Sequence, residues 1–171
     1  MDRQVGMIGL GIMGGAIARN LAERGWEVFG FDTDPRRCSE LAHAGVTIVD
    51  GARATASAAP IIITSLPSSD AANAVAGDIA ASGQPPRIVV ETSTLTIADK
   101  MRFKAILQPV GHVALDCPLS GTGAQARVRD LVVYASGDKA AVARCGSLFA
   151  DFAKQSADLG DAQRIVVTPR G

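Results

Sequence analysis

The sequence predicts an α/β domain built on a doubly wound, mostly parallel sheet with helices on both faces. Short β-branched runs alternate with Ala-rich helical stretches along nearly the whole chain, the pattern of repeated strand–helix–strand units. The runs are continuously apolar, as in Ile61-Ile62-Ile63, which suits strands covered on both faces. A chain of 171 residues, 47% apolar and 20% charged, has the size and composition of one ordinary domain.

Taken in order, Val5 to Gly9 is a first short apolar strand. Ile12 to Arg24 reads as a helix with Ile12, Ala16, Ile17 and Leu21 on one face. Trp26 to Phe31 is a second strand. Pro35 to Ala44 is a second helix, with proline at its favoured first-turn position. Val46 to Val49 is short and strand-like, Ile61 to Thr64 follows Pro60 as a strand, and Asp70 to Ala81 is helical. Gly83 to Pro86 is a loop inside the domain. Ile88 to Val90 precedes a helix from Ile97 to Leu107. Val113 to Leu115 and Leu131 to Tyr134 are strands, Lys139 to Phe152 is a long helix, and a last strand follows Lys154.

Composition excludes several functional classes. Seventeen basic and seventeen acidic side chains cancel, so the chain has no overall electrostatic footprint for nucleic acid or an anionic membrane. Cys38, Cys117 and Cys145 are odd in number and widely spaced, which reads as reduced thiols. His43 and His112 cannot build a histidine metal cage. No apolar run approaches the ~18 residues of a membrane span, and no basic-then-apolar leader opens the chain. The expectation is a soluble cytoplasmic domain.

The most informative segment is Gly9-Leu10-Gly11-Ile12-Met13-Gly14, which leaves a strand and opens a helix. Each glycine has its own task. Gly9 turns the chain sharply, Gly11 lets a pyrophosphate approach the backbone, and Gly14 lets helix and strand pack closely. The free N–H groups at the helix start then favour phosphate. Asp32 ends the next strand, 18 positions beyond Gly14, near the ~20-residue spacing of a carboxylate that holds the adenosine ribose hydroxyls. Together these signals mark a Rossmann-type dinucleotide site. A carboxylate at Asp32 favours NAD over NADP, while Arg36 and Arg37 just beyond it leave NADP possible.

The stretch from Gly9 to Leu21, with Met13 and the Asn20-Leu21 pair, resembles the opening motif of the β-hydroxyacid dehydrogenase family. That family includes 3-hydroxyisobutyrate dehydrogenase and the cofactor domain of 6-phosphogluconate dehydrogenase. Ser65-Leu66-Pro67 is similar to its Leu-Pro turn, and Glu91-Thr92-Ser93-Thr94 to its Asp-x-Ser-Thr stretch. Asp116-Cys117-Pro118-Leu119-Ser120-Gly121 is similar to its substrate motif. The resemblance runs from about Val5 to about Gly160. It implies that Gly9, Leu10, Gly11, Ile12, Met13, Gly14 and Asp32 hold the adenosine diphosphate end of the cofactor. By the same resemblance, Leu66, Pro67 and Thr94 face the nicotinamide, and Ser120, Gly121 and Thr122 meet the substrate, with the serine hydroxyl and an adjacent N–H on its carboxylate.

The substrate motif departs from the family pattern at Thr122, where a second glycine is usual, and at Gln125, where a small residue is common. It departs again at Arg129-Asp130, where Gly-Thr is typical. Thr122 is expected to narrow the pocket beside Ser120, and Arg127 and Arg129 bring positive charge that could attract a carboxylate or simply sit on the surface.

Family members carry a catalytic lysine on a later long helix, followed by an all-helical domain. None of Lys100, Lys104, Lys139 and Lys154 has that context, so no catalytic residue is assigned in this chain. The expected organisation is a dinucleotide-binding domain over residues 1–161, a divergent tail over 162–171, and no all-helical domain, through truncation or a frameshift near Asp161. The implied reaction transfers hydride between NAD(P) and a small β-hydroxyacid or semialdehyde. Two other readings stay open: a non-catalytic NAD(P)-binding module, and an imine or carbonyl reductase of the same superfamily. The uncovered docking face is expected to be apolar and to allow a homo-oligomer.

Overall fold

The computed structural model describes residues 3–160. The 162–171 tail read from the sequence lies outside the described residues. The first half runs β1 (Gln4–Ile8), α1 (Ile12–Glu23), β2 (Glu27–Phe31), α2 (Pro35–His43), β3 (Thr47–Ile48), α3 (Ala52–Ala58), β4 (Ile61–Thr64) and α4 (Ser69–Ala80). It continues through β5 (Ile88–Glu91), α5 (Ile97–Leu107), β6 (Val113–Asp116), β7 (Leu119–Ser120), α6 (Gly123–Arg127), β8 (Val132–Ala135), α7 (Lys139–Arg144), α8 (Gly146–Phe152) and β9 (Gln155–Asp158).

Six strands pair in parallel in the order β3-β2-β1-β4-β5-β6, which is a Rossmann-like α/β sheet. Strand residues point alternately to its two faces. Met7, Ile63 and Val90 join a core with α1, α2 and α8, while Ile8, Ile62 and Val89 join a second core with α3, α4 and α5. The order reverses between β1 and β4, and open α/β sheets offer their ligand crevice at the carboxyl ends of the strands at such a point.

A second, three-stranded sheet, β7-β8-β9, stands apart from the first, where the strand pattern alone predicts a single sheet. It springs from the end of β6, where Asp116 N and Ser136 N each donate to the other residue's carbonyl, at 3.0 and 2.8 Å. The long helix expected over 139–152 is two helices. Cys145 caps α7, its N–H shared by the Ala141 and Val142 carbonyls, and glycine follows at 146. Glycine is a poor residue inside a helix, and the break lets α8 turn Leu148, Phe149 and Phe152 into the core. The segments α3 and α6 carry helix where no element was expected.

His112, just before β6, is buried, 3% exposed. Its Nδ1 accepts a hydrogen bond from Arg87 N at 2.9 Å. Burial, with the Arg87 charge, holds the imidazole pKa below its usual value, against a backbone hydrogen bond at Ile79. The unfolded chain therefore binds a proton that the folded chain resists, so stability is full above the ordinary histidine range and is lost as pH falls through it. The melting temperature is expected to fall between about pH 7.5 and about pH 5.5, and His112→Asn, which keeps an acceptor for Arg87 N, is expected to flatten that fall. Melts across this pH range check it.

Candidate functional site

The carboxyl ends of β1 and β4 open onto a cleft of about 730 Å³. Gly9, Gly11, Ile12, Met13, Asp32, Leu66 and Pro67 all line it, so seven of the sequence-selected residues meet along one wall. Gly9 has φ +95°, and a Cβ there would overlap the Ser65 carbonyl of the neighbouring strand end. A Cβ on Gly14 would overlap the Gly9 carbonyl in turn. Both glycines are therefore demanded by the fold itself. Gly11 is different. A Cβ there would meet nothing nearer than the Arg37 guanidinium at 3.7 Å, so the space above it is left open for something other than protein.

Helix α1 starts at that opening. Its N-cap, Gly11, supplies no side-chain hydrogen bond, and no acid stands in its first turn, so its leading N–H groups face the cleft uncapped. Asp32, at the end of β2, is fixed by the loop it serves. Its Oδ2 accepts from Leu10 N at 2.8 Å and its Oδ1 from Asp34 N at 2.8 Å. Arg37 Nη1 stands 3.6 Å from Oδ2, so the carboxylate is paired but still lines the cleft. Arg36 is far more exposed and turns instead to Asp34, at 3.7 Å. Leu10 and Gly14 do not line the cleft: Leu10 is buried, and Gly14 packs against the Gly9 carbonyl.

The opposite wall was missed from sequence. Asp50 and Gly51 reach the cleft from the β3–α3 connection, and Ala71, Val75 and Asp78 reach it from α4. The Ala-rich stretch between Gly51 and Pro60 was the available sign that a helix brings this segment to the sheet edge.

Thr94 does not line this cleft. With Ser93 it borders a separate cavity of about 260 Å³ between α5 and the ends of β5 and β6. Ser93 does not cap α5, which Thr96 and Asp99 do with a reciprocal capping box. Its hydroxyl oxygen instead accepts from Leu66 N at 2.7 Å and so ties the two strand-end turns together.

Ser120, Gly121 and Thr122 form an exposed turn that lines neither cavity. It lies beside the glycine loop all the same: a Cβ on Gly123 would come within 2.5 Å of Ile12 Cγ2, and Asn20 Nδ2 donates to the Ala126 carbonyl at 2.8 Å. Thr122 caps α6. Its hydroxyl accepts from Gln125 N at 3.2 Å, and Gln125 Oε1 accepts from Thr122 N at 2.8 Å. That turn has thus spent one of its outward N–H groups on its own glutamine. Arg127 points to a groove shared with Arg19 and Arg37.

Burial pushes the Cys117 thiol well above its ordinary range and Cys145 up to about 12, so neither is a nucleophile near neutral pH. Among the described residues no helix is long and apolar enough to cross a membrane.

Residues 4–164 match the model of the NAD binding domain of 6-phosphogluconate dehydrogenase. The chain belongs to that family. It is therefore an NAD-binding domain of the β-hydroxyacid dehydrogenases. Mitochondrial 3-hydroxyisobutyrate dehydrogenase of Homo sapiens is 32% identical over 138 residues, which cover 78% of this chain and 40% of the human protein. The NAD-dependent L-serine dehydrogenase of Pseudomonas aeruginosa is 30% identical over 150 residues, 86% of this chain and 50% of that protein. A solved structure of Mycobacterium tuberculosis 3-hydroxyisobutyrate dehydrogenase with L-serine superposes with a TM-score of 0.90 at 27% identity, over 94% of this chain and 55% of that one. The chain spans about half the length of the curated relatives it matches.

Arg129 stands where the sequence resemblance expects glycine. Arg129 has φ +58°, the one non-glycine residue in the left-handed region among those described. That conformation costs an L-residue roughly 1–2 kcal/mol. Arg129→Gly is expected to raise stability by about 1 kcal/mol, the gain reduced by glycine's freedom in the unfolded chain. Urea unfolding with an unchanged m-value checks it.

Proposed function

We propose that this chain holds NAD(H) in the β1–β4 cleft and presents it to a small β-hydroxyacid or the matching semialdehyde. The observation that carries the reading is the open space above Gly11, facing the uncapped start of α1 with Asp32 at the far end. The leading amides of α1 hold the pyrophosphate, and Asp32 takes the adenosine ribose hydroxyls. The apolar Val75 flanks the adenosine, and Leu66, Pro67 and Thr94 stand toward the nicotinamide. When bound, the nicotinamide supplies or accepts the hydride.

Ser120 and Gly121 orient the substrate beside Ile12, where a short hydroxyl donor and a backbone N–H on a fixed turn suit a carboxylate oxygen. No lysine lines the cleft among the described residues. In this reading the group that moves the proton to or from the substrate oxygen is supplied from outside residues 3–160. The chain by itself is expected to bind cofactor without measurable hydride transfer. The exposed apolar side chains Ile12, Val128, Met101 and Ile97 suit a partner surface, whether a helical domain or a second copy.

A second reading is favoured by Gln125. Its amide oxygen already occupies the Thr122 N–H, so the turn keeps fewer donors for a carboxylate and better suits a neutral carbonyl or imine. Replacing Gln125 by Ala would free that N–H. Tighter binding of a hydroxyacid to the cofactor-loaded Gln125→Ala chain supports a gating glutamine, and no change supports the plain hydroxyacid reading.

Calorimetric titration with NADH and NADPH tests the main proposal. NADH is expected to bind more tightly, and Asp32→Asn to narrow the difference. Gly11→Val is the sharper test, because the fold leaves room for its side chain while the pyrophosphate does not. It is expected to weaken NADH roughly ten- to hundredfold, the equivalent of one or two lost charge-assisted hydrogen bonds, with little change in melting temperature. Unchanged NADH binding would remove the glycine loop from the site.

A further inference from the structure

Three strand ends meet at a buried charge cluster that the cofactor cleft does not touch. Glu91 ends β5, is 1% exposed, and is in register with Thr64 of β4 and Asp116 of β6. Its Oε2 accepts from the Thr64 hydroxyl, and its Oε1 accepts from Ser93 N at 2.5 Å. Its carbonyl accepts from Cys117 N at 2.8 Å. Ser93, placed in this way, offers its oxygen to Leu66 N. The buried carboxylate thus ties the ends of β4 and β5 together and, through Ser93, the Leu66-Pro67 turn, while the Glu91 backbone carbonyl holds the end of β6.

Two carboxylates on paired positions of adjacent strands repel each other across ~5 Å, and burial sharpens the repulsion. The cation that answers them comes from α5. Lys100 Nζ lies 2.9 Å from Asp116 Oδ1, 3.6 Å from Glu91 Oε1 and 3.5 Å from the Glu91 carbonyl oxygen. Asp116 Oδ1 is buried with no other partner among the described residues. Lys104 lines the same cavity one helical turn on, and the Tyr134 side chain faces it from β8. Lys100 alone sits between the two carboxylates. The Glu91 and Lys100 side chains are 1% and 13% exposed, while Asp116 is 33% exposed with its Oδ1 turned inward, so this is a largely buried triad open to solvent only on the Asp116 side.

We propose that Lys100 is a positioning residue for the nicotinamide edge: by balancing Glu91 and Asp116 it lets Glu91 hold the Ser93–Thr94 and Leu66–Pro67 turns in the arrangement the nicotinamide half of the cofactor meets. This rests on the reading that those turns face the nicotinamide. The triad lies away from Gly11 and Asp32, so the adenosine half does not depend on it.

That separation supplies the test. NADH and ADP-ribose, which lacks the nicotinamide, are titrated by calorimetry into the wild-type chain, Lys100→Met and Lys100→Arg. Lys100→Met is expected to weaken NADH about tenfold while changing ADP-ribose less than about threefold, and Lys100→Arg to recover most of the loss. Equal weakening of both ligands, or of neither, overturns the proposal, because a loss of general packing does not discriminate between the two halves of the cofactor. Should Lys100→Met lose its cooperative melt, the comparison passes to Glu91→Gln with and without Lys100→Met. An amide at 91 can keep its oxygen on Ser93 N and turn its NH2 to the Thr64 hydroxyl oxygen without needing a cation, so the two are expected to bind NADH alike, and a further loss in the double variant overturns the proposal. A folded wild-type chain that binds neither ligand sinks the cofactor reading itself. One that binds NADH no better than ADP-ribose leaves that reading standing and overturns only the role of Lys100.

Discussion

The backbone contact at Gly9 is the constraint on which the rest of this edge depends. Gly9 N donates to the Phe31 carbonyl at 2.9 Å, and Ser65 N donates to the Ile8 carbonyl at 2.9 Å, so the turn out of β1 is pinned from β2 on one side and β4 on the other. No side chain fits between Gly9 and Ser65, or between Gly14 and Gly9. Once three backbones are this close, the start of α1 has one direction to point, and its unpaired N–H groups converge above Gly11. The same packing brings Asp32 to Leu10 N and Leu66 into the same cleft as the loop. A phosphate-binding helix end is here a consequence of how tightly a parallel sheet closes at its switch point.

The other end of the carboxyl edge is organised by charge rather than by close approach. Where β1 and β4 bring backbones together without side chains, β5 and β6 bring two carboxylates together and enclose an ammonium with them. Buried triads of this kind are rarely a gain in stability over apolar residues of similar volume, but breaking one is costly because it leaves a charge unanswered. Their value lies in geometry. A buried carboxylate that accepts from both Thr64 and Ser93 N leaves the Ser93 and Leu66 turns little freedom, which suits an edge that must present fixed donors to a small ligand.

Much of this was legible in the sequence. The six-stranded sheet follows from alternating runs, and the glycine turn follows from three spaced glycines and Asp32, because those features are local and each residue has its own steric or electrostatic reason. The far wall of the cleft was hidden. Asp50, Ala71 and Val75 come from segments with no motif of their own, brought in by the crossover through α3. The break at Cys145-Gly146 was masked by a continuous helical pattern on either side. Thr122 and Gln125 were noticed as departures from a family pattern, but their mutual capping box depends on where α6 begins. Lys100 carries no local sign of its role, because it has none of the sequence context of a proton donor. Its meaning rests on Glu91 and Asp116, distant in sequence and adjacent only through strand register.

The most direct test of the account is a crystal structure of this chain with NADH bound. The pyrophosphate is expected against the amides of Gly11 to Met13, the adenosine ribose on Asp32, and the nicotinamide beside Pro67 and Thr94. A cofactor seated elsewhere, or one whose pyrophosphate stands away from the start of α1, would contradict it.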